Sequence, residues 1–204
     1  MIKIENRYSG DVIKEVTSLS NSDLSKSGLR YSNLRDIDLR YSDLSKSDLS
    51  YSDLRYSSLS YSNLSNSNLS YSDLSNSNLS YSDLSNSDLR YSDLRYSDLR
   101  GSDLRGSDLR YSDLRGSDLS YSDLRGSDLR NIIGNGREIK SLQIGTYMVS
   151  YHKDILNIGC QSHTLNEWLN FTDEEIDRMD KGISLDWWKL NKDILITLVK
   201  REIQ

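Results

Sequence analysis

The chain has 204 residues and a net charge of −5, from 26 Lys and Arg against 31 Asp and Glu, with 35% hydrophobic residues, 14 Tyr, one Phe, one Cys and no Pro. As averages, so little apolar material and a mean hydropathy of −0.67 describe low-complexity disorder better than a globular core. They also exclude a membrane span, a disulfide framework and a globally basic nucleic-acid surface.

The first residues, MIKIENRYSG, lack the basic and apolar regions of a secretory signal, so a reducing, cytoplasmic setting is expected. Ile2-Lys3-Ile4 and Val12-Ile13 flank Ser9-Gly10-Asp11, which predicts a β-hairpin within residues 1–18. Such a hairpin would cap whatever follows it.

From Leu19 to Leu129, Leu occupies every fifth position, 23 in succession. The unit reads Ser-Asp/Asn-Leu-Ser/Arg-X, with X mostly Tyr, Gly or Asn, as in Ser92-Asp93-Leu94-Arg95-Tyr96. A five-residue period fits neither a helix nor a flat strand, so the chain must turn a corner in every unit. Two residues before each Leu from Leu24 to Leu129, Ser fills 21 of 22 units, with Ile37 the exception.

On these residues the segment 19–131 resembles the pentapeptide-repeat family, whose consensus is A(D/N)LXX. The resemblance implies a mainly β fold, a right-handed quadrilateral parallel β-helix with four units per coil. It also implies that Leu and the small residue two before it point inward while the other three face solvent. Here the small residue is Ser, and a buried hydroxyl without a partner would cost about 1–3 kcal/mol. The Ser ladder is therefore expected to bond to turn carbonyls.

A ten-residue modulation supports the four-sided coil independently. X is Tyr at 31, 41, 51, 61, 71, 81, 91, 111 and 121, interrupted at Gly101. With four units per coil, Tyr31, Tyr51, Tyr71, Tyr91 and Tyr111 form one ladder and Tyr41, Tyr61 and Tyr81 most of an opposite one. Rungs should lie about 4.8 Å apart on a shaft about 28 Å long. The same folding aligns Arg35 and Arg55 with Arg95 and Arg115, and stacks Asp73, Asp93 and Asp113 in a like-charged column that flanking Arg should partly offset.

After Gly134-Asn135-Gly136 the period ends and all three Trp appear, in a segment 132–204 expected to be α+β and to cap the shaft or bind a partner. Short strands are predicted near 138–143, 146–151 and 154–159. Helices follow, opened by the capping boxes Thr164-x-x-Glu167 and Thr172-x-x-Glu175. A last helix from about Ser184 carries Trp187, Trp188, Leu190, Ile194, Leu195, Leu198 and Val199 on one arc. This region resembles, more loosely, C-terminal regions of some bacterial and phage pentapeptide-repeat proteins. Its helix, with Trp187, Trp188, Leu195 and Val199, suggests a homodimer, as related proteins form dimers through C-terminal elements.

Cys160, His163 and His152 fall short of the four ligands of a structural zinc site, and both His lie outside the Ser-rich shaft. Thiol and imidazole are expected to pack beneath the Trp-bearing helices; no metal, cofactor or catalytic residue is assigned. The expected function is a non-enzymatic scaffold for protein–protein interaction with an unidentified partner. Its candidate surface comprises the two Tyr ladders, Arg95, Arg115, Trp187 and Trp188. The alternative, implied by the family, is a DNA mimic that binds a type II topoisomerase (gyrase) or another DNA-binding protein. With 17 Asp against 14 Lys and Arg in residues 19–131, the charge argues against mimicry, and direct nucleic-acid binding is not expected.

Overall fold

The structure, a computed structural model, describes residues 1–153, 155–179 and 185–203. It comprises two compact units, Met1–Leu129 and Arg130–Gln204.

In the first unit, the repeats wind into a four-sided parallel β-helix. Each Asp, Asn or Ser before a Leu bridges its counterpart twenty residues on, from Asp23↔Asp43 to Asp108↔Asp128, so four five-residue units complete one coil. Around Leu64, the N–H groups of Leu64 and Asn66 donate to Asp83 and Ser85 of the next coil at 2.7 and 2.9 Å. Asn63 N–H donates back to Ser42 at 2.9 Å. Leu24 to Leu114 are 0% exposed throughout, so a single Leu per unit fills the shaft.

The corner explains the period. In the units from Leu24 to Leu124, Leu34 excepted, the N–H of the following Ser donates to the Leu carbonyl, at 3.0–3.3 Å, closing a four-residue turn. The third residue of that turn, X, has φ near +60° at every unit from Asn21 to Asn131. This is the signature of a type II turn, whose third position favours Gly and Asn. The expected hydroxyl partner is present at the same corner. At Ser47 and from Ser57 to Ser127 the buried or half-buried Ser donates Oγ–H to that same Leu carbonyl, as at Ser82 to Leu79 (2.6 Å) and Ser102 to Leu99 (2.7 Å), while Ser52 donates to Leu29 of the preceding coil at 2.8 Å.

The N-terminal hairpin joins β1 (Ile2–Asn6) to β2 (Val12–Val16), antiparallel. The free edge of β1 pairs with the two-residue strand β3 (Ser32–Asn33), and Ile4 is buried. One exposed β edge of the first coil is thereby covered.

The second unit is α+β. A meander of β4 (Lys140–Ile144), β5 (Tyr147–His152), β6 (Ile155–Ile158) and β7 (Gln161–Thr164) pairs antiparallel in chain order. The fourth strand was not expected from the sequence. Helices α1 (Leu165–Asn170), α2 (Asp173–Met179) and α3 (Leu185–Ile203) follow. Both capping boxes form: Glu167 and Glu175 accept from the backbone N–H of Thr164 and Thr172, at 2.7 and 2.8 Å. The expected start of the last helix at Ser184 lies outside the described residues.

The α3 arc divides, and this corrects the sequence reading. Trp188, Leu195 and Val199 are buried against Val149, Leu156, Ile158, Trp168 and Ile176, whereas Leu190 and Ile194 are 79% and 58% exposed. The apolar arc is wider than the sheet can cover. No helix among the described residues is long and apolar enough to cross a membrane.

Candidate protein-interaction surface

Both Tyr ladders form. Tyr51, Tyr71, Tyr91 and Tyr111 stack with ring centroids 4.7–4.8 Å apart and interplanar angles of 2–10°. Tyr41, Tyr61 and Tyr81 stack at 5.2–5.3 Å. Tyr31 tilts by 41° against Tyr51, and Tyr8 of the hairpin meets Tyr31 edge-on at 5.9 Å.

The backbone that carries these rings is unusual for Tyr. Left-handed φ costs a side-chain-bearing residue about 1–2 kcal/mol, and each favourable aromatic pair returns about 0.5–1.5 kcal/mol. Stacking thus largely offsets the corner strain, which accounts for Tyr at corners whose neighbours are also Tyr. Where the second ladder breaks, a Cβ on Gly101 would lie 2.7 Å from the Tyr81 ring; Tyr96 lies equally close over Gly116, at 2.6 Å. The ring of the preceding coil occupies the space a side chain would need.

The acidic columns are held on two sides. Each Asp or Asn side chain accepts the N–H two residues on, for example Ser85 to Asp83 at 2.9 Å. Among the described residues, nine arginines from Arg40 to Arg125 also fork through Nε and Nη2 onto that Asp, as Arg90 does onto Asp88 at 2.9 and 2.5 Å. Several reach the next coil as well: Arg55 lies 3.5 Å from Asp73 and Arg110 lies 3.4 Å from Asp128. Of the candidate arginines, Arg95 binds Asp93 and approaches Asp113, while Arg115 binds Asp113. Each is therefore engaged with a carboxylate within the shaft.

These bonds hold the carboxylates in their charged form. Hydrogen bonds from Arg40 and Arg125 lower Asp38 and Asp123 from 3.8 to about 2. A lowered carboxylate contributes stability that is complete above its unfolded pKa and disappears as pH falls through the folded one. Thermal stability is expected to hold steady above pH about 4 and decline toward pH 2. A melting temperature that stays level or rises as pH falls from about 4 to 2 would overturn the ion-pair account.

In the second unit, Trp187 is half-buried, edge-on to Tyr147 at 4.8 Å, and its Nε1–H donates to Ile144 at 3.2 Å. Trp188, 2% exposed, meets Trp168 at 5.1 Å with the rings tilted by 35° and presents no surface. His163 packs edge-on against Trp168 and Phe171, as expected beneath the helices, but Cys160 is exposed at the β6–β7 turn. Its exposure follows from β7, which turns that residue into a hairpin corner. Nδ1 of His152 lies 2.8 Å from the Glu138 carbonyl, apart from both. Among the described residues, no three His, Cys, Asp or Glu gather as metal ligands would.

A family model for pentapeptide repeats matches residues 17–55, 32–70, 47–80, 67–106 and 97–133, together more than half the chain. The chain belongs to the pentapeptide-repeat family. Its shaft is accordingly the family's right-handed quadrilateral β-helix.

Among solved structures, this pentapeptide-repeat chain is similar to HetL, a protein involved in heterocyst differentiation regulation from the cyanobacterium Nostoc sp. strain PCC 7120. Identity is 23% over 58% of this chain and 68% of that one, with a TM-score of 0.40. A thylakoid-lumen pentapeptide-repeat protein of Arabidopsis thaliana matches at 21% identity over 56% and 66% of the two chains, TM-score 0.39. QnrB1, a plasmid-mediated fluoroquinolone resistance protein, matches at 16% identity over 56% and 74%, TM-score 0.23. Scores this low add nothing to the family match. A comparison with functionally curated proteins returns no match.

The corner conformation is what sequence reasoning missed. Its signal was present in the exchange of Tyr with Asn66, Asn76, Asn86, Gly101 and Gly106 at one position of the unit, since Asn and Gly are the residues that tolerate φ > 0.

Proposed function

We propose that this protein is a non-enzymatic scaffold that presents its shaft, and the exposed side of α3, to a protein partner. The observation that carries the reading is the pair of Tyr ladders: rigidly spaced phenols, 46–58% exposed at Tyr41, Tyr61, Tyr71, Tyr81, Tyr91 and Tyr111, on a backbone bonded coil to coil. Tyr is favoured at interfaces because it brings contact area at small entropic cost. A pull-down with the full chain should enrich a partner that a Tyr61→Asn, Tyr81→Asn variant loses. Equal recovery by the two, or no enrichment over a control rod, would reject the ladders as the binding surface.

The charge arrangement speaks against duplex mimicry of the topoisomerase-directed kind. A mimic needs a clean acidic face, and here nine Asp between Asp38 and Asp123 are each forked by the Arg two residues on. In a gyrase supercoiling assay, micromolar protein is expected to change neither supercoiling nor drug sensitivity. A clear change in either would restore the mimic.

A further inference from the structure

We propose that the exposed notch at Gly28 is a carboxylate-binding site, which takes an acidic side chain of a protein partner into the place that an Asp of the chain itself fills elsewhere along the shaft.

The shaft supplies the template for such a site. At each of its nine Asp–Arg forks, Asp Oδ1 accepts the backbone N–H of the Arg two residues on, and the guanidinium closes over the carboxylate; at Asp88 the Arg90 N–H, Nε and Nη2 lie at 3.0, 2.9 and 2.5 Å. One carboxylate thus meets three donors. In the first coil Gly28 stands in the place of that Asp and Arg30 in the place of its Arg. Among the described residues, neither the N–H nor the guanidinium of Arg30 has a hydrogen-bond acceptor. Of the arginines from Arg30 to Arg125 it alone forms no ion pair; even Arg35, which follows Asn33, turns to Asp36 at 3.2 Å. The Arg30 guanidinium lies instead over the rings of Tyr31 and Tyr51, 4.7 and 5.0 Å from their centroids.

The notch has room for a guest. A Cβ at Gly28 would meet nothing within 4 Å, the backbone there lies outside the left-handed region, and both Gly28 and Arg30 are exposed. Neither the turn nor the packing requires glycine here. The acidic neighbour is accommodated by the same template. Asp48, one coil on in the same column, accepts the Ser50 N–H at 3.0 Å, and in the filled units one Arg serves two carboxylates, as Arg90 does by lying 3.6 Å from Asp108. Asp23 and Asp43 belong to the next face, beyond the corner held by Lys26 and Lys46. Lys14 of β2 brings a further cation beside the notch, its Nζ 2.5 Å from Ser27 Oγ. An incoming carboxylate gains the Arg30 N–H at once and the fork when the guanidinium leaves the rings. Charge-assisted paired bonds are stronger than an exposed cation–π contact, so the exchange favours the fork. That the carboxylate comes from a protein rests on the scaffold reading; the three donors do not.

Amide NMR of the isotope-labelled full chain, at neutral pH and fixed ionic strength, tests the site with acetate, inorganic phosphate and a capped Ser-Asp-Leu peptide that repeats the unit's own sequence. The Arg30 amide should shift saturably with acetate and with the peptide, within about 100 mM. Gly28→Asp should abolish both responses and raise the melting temperature, because its own carboxylate completes the fork. Arg30→Gln should weaken binding about tenfold, with thermal melts checking that both variants fold. No saturable shift with either carboxylate, or an undiminished response in Gly28→Asp, overturns the site, and full affinity in Arg30→Gln overturns the fork. Tighter binding of phosphate than of both carboxylates overturns the ligand class. Acetate binding without peptide binding overturns a protein side chain as its source. The Tyr61→Asn, Tyr81→Asn pull-down reads the scaffold separately: its failure alongside a saturable Arg30 shift removes that reading and leaves the carboxylate site.

Discussion

Replacing Leu74 by Ala is expected to destabilise the shaft by about 2–5 kcal/mol, toward the upper end of that range. The cost depends on how far the surroundings collapse into the cavity. Here Leu74 is 0% exposed in a shaft filled by one Leu per unit, and its own N–H is fixed to Asp93 of the next coil at 2.8 Å. Neighbouring Leu cannot move inward without breaking those bonds. Leu124, 4% exposed near the end of the repeats, should cost less when truncated. Chemical denaturation of the two variants reads the difference directly. A loss below about 1 kcal/mol at Leu74 would show that the coils relax, and the rigidity on which the interaction surface rests would fail.

Truncating Trp168 to Ala should cost about 3–5 kcal/mol, and the loss should be confined to the second unit. Trp168 is 0% exposed, its Nε1–H donates to the Leu156 carbonyl at 2.8 Å, and its ring meets those of His163, Phe171 and Trp188. Removing it leaves a cavity and takes the indole's hydrogen bond from the Leu156 carbonyl. Hydrogen exchange should show protection falling across β4–β7 and α1–α3 while amides from Leu24 to Asp128 keep theirs. Equal loss in both units would mean that they fold as one cooperative body.

The shaft was legible because its constraint repeats. A Leu at every fifth position and Ser two before it state the same inward pair at each unit, and the Tyr modulation supplies the coil length. The corner was less legible, because Tyr is a poor indicator of φ > 0 and outnumbers Asn and Gly along the two ladder columns. Its presence there depends on a neighbour twenty residues away, an effect no local window contains. In the second unit, β7 (Gln161–Thr164) carries no apolar alternation, since it is the edge of the sheet and pairs only with β6. The division of α3 into buried Trp188, Leu195 and Val199 and exposed Leu190 and Ile194 also escaped the sequence. One helix face was simply wider than the surface offered to it. As for the interaction surface, the sequence could align the ladders and Arg columns, but the engagement of Arg with Asp at both two residues and the next coil emerged only with the geometry.

The twenty-residue coil also constrains how such a chain can change length. Gain or loss of one unit would turn every downstream column by a quarter revolution, bringing Tyr corners onto those held by Lys46, Asn66 and Asn86. Two units would exchange the two ladders, keeping the stacks while shuffling the charges. Four units would restore every ring, fork and flank to its own column. A gene tract encoding near-identical pentapeptides is prone to slippage in small steps, yet only whole coils extend this surface unaltered, so tolerated length variants should fall on a ladder of twenties.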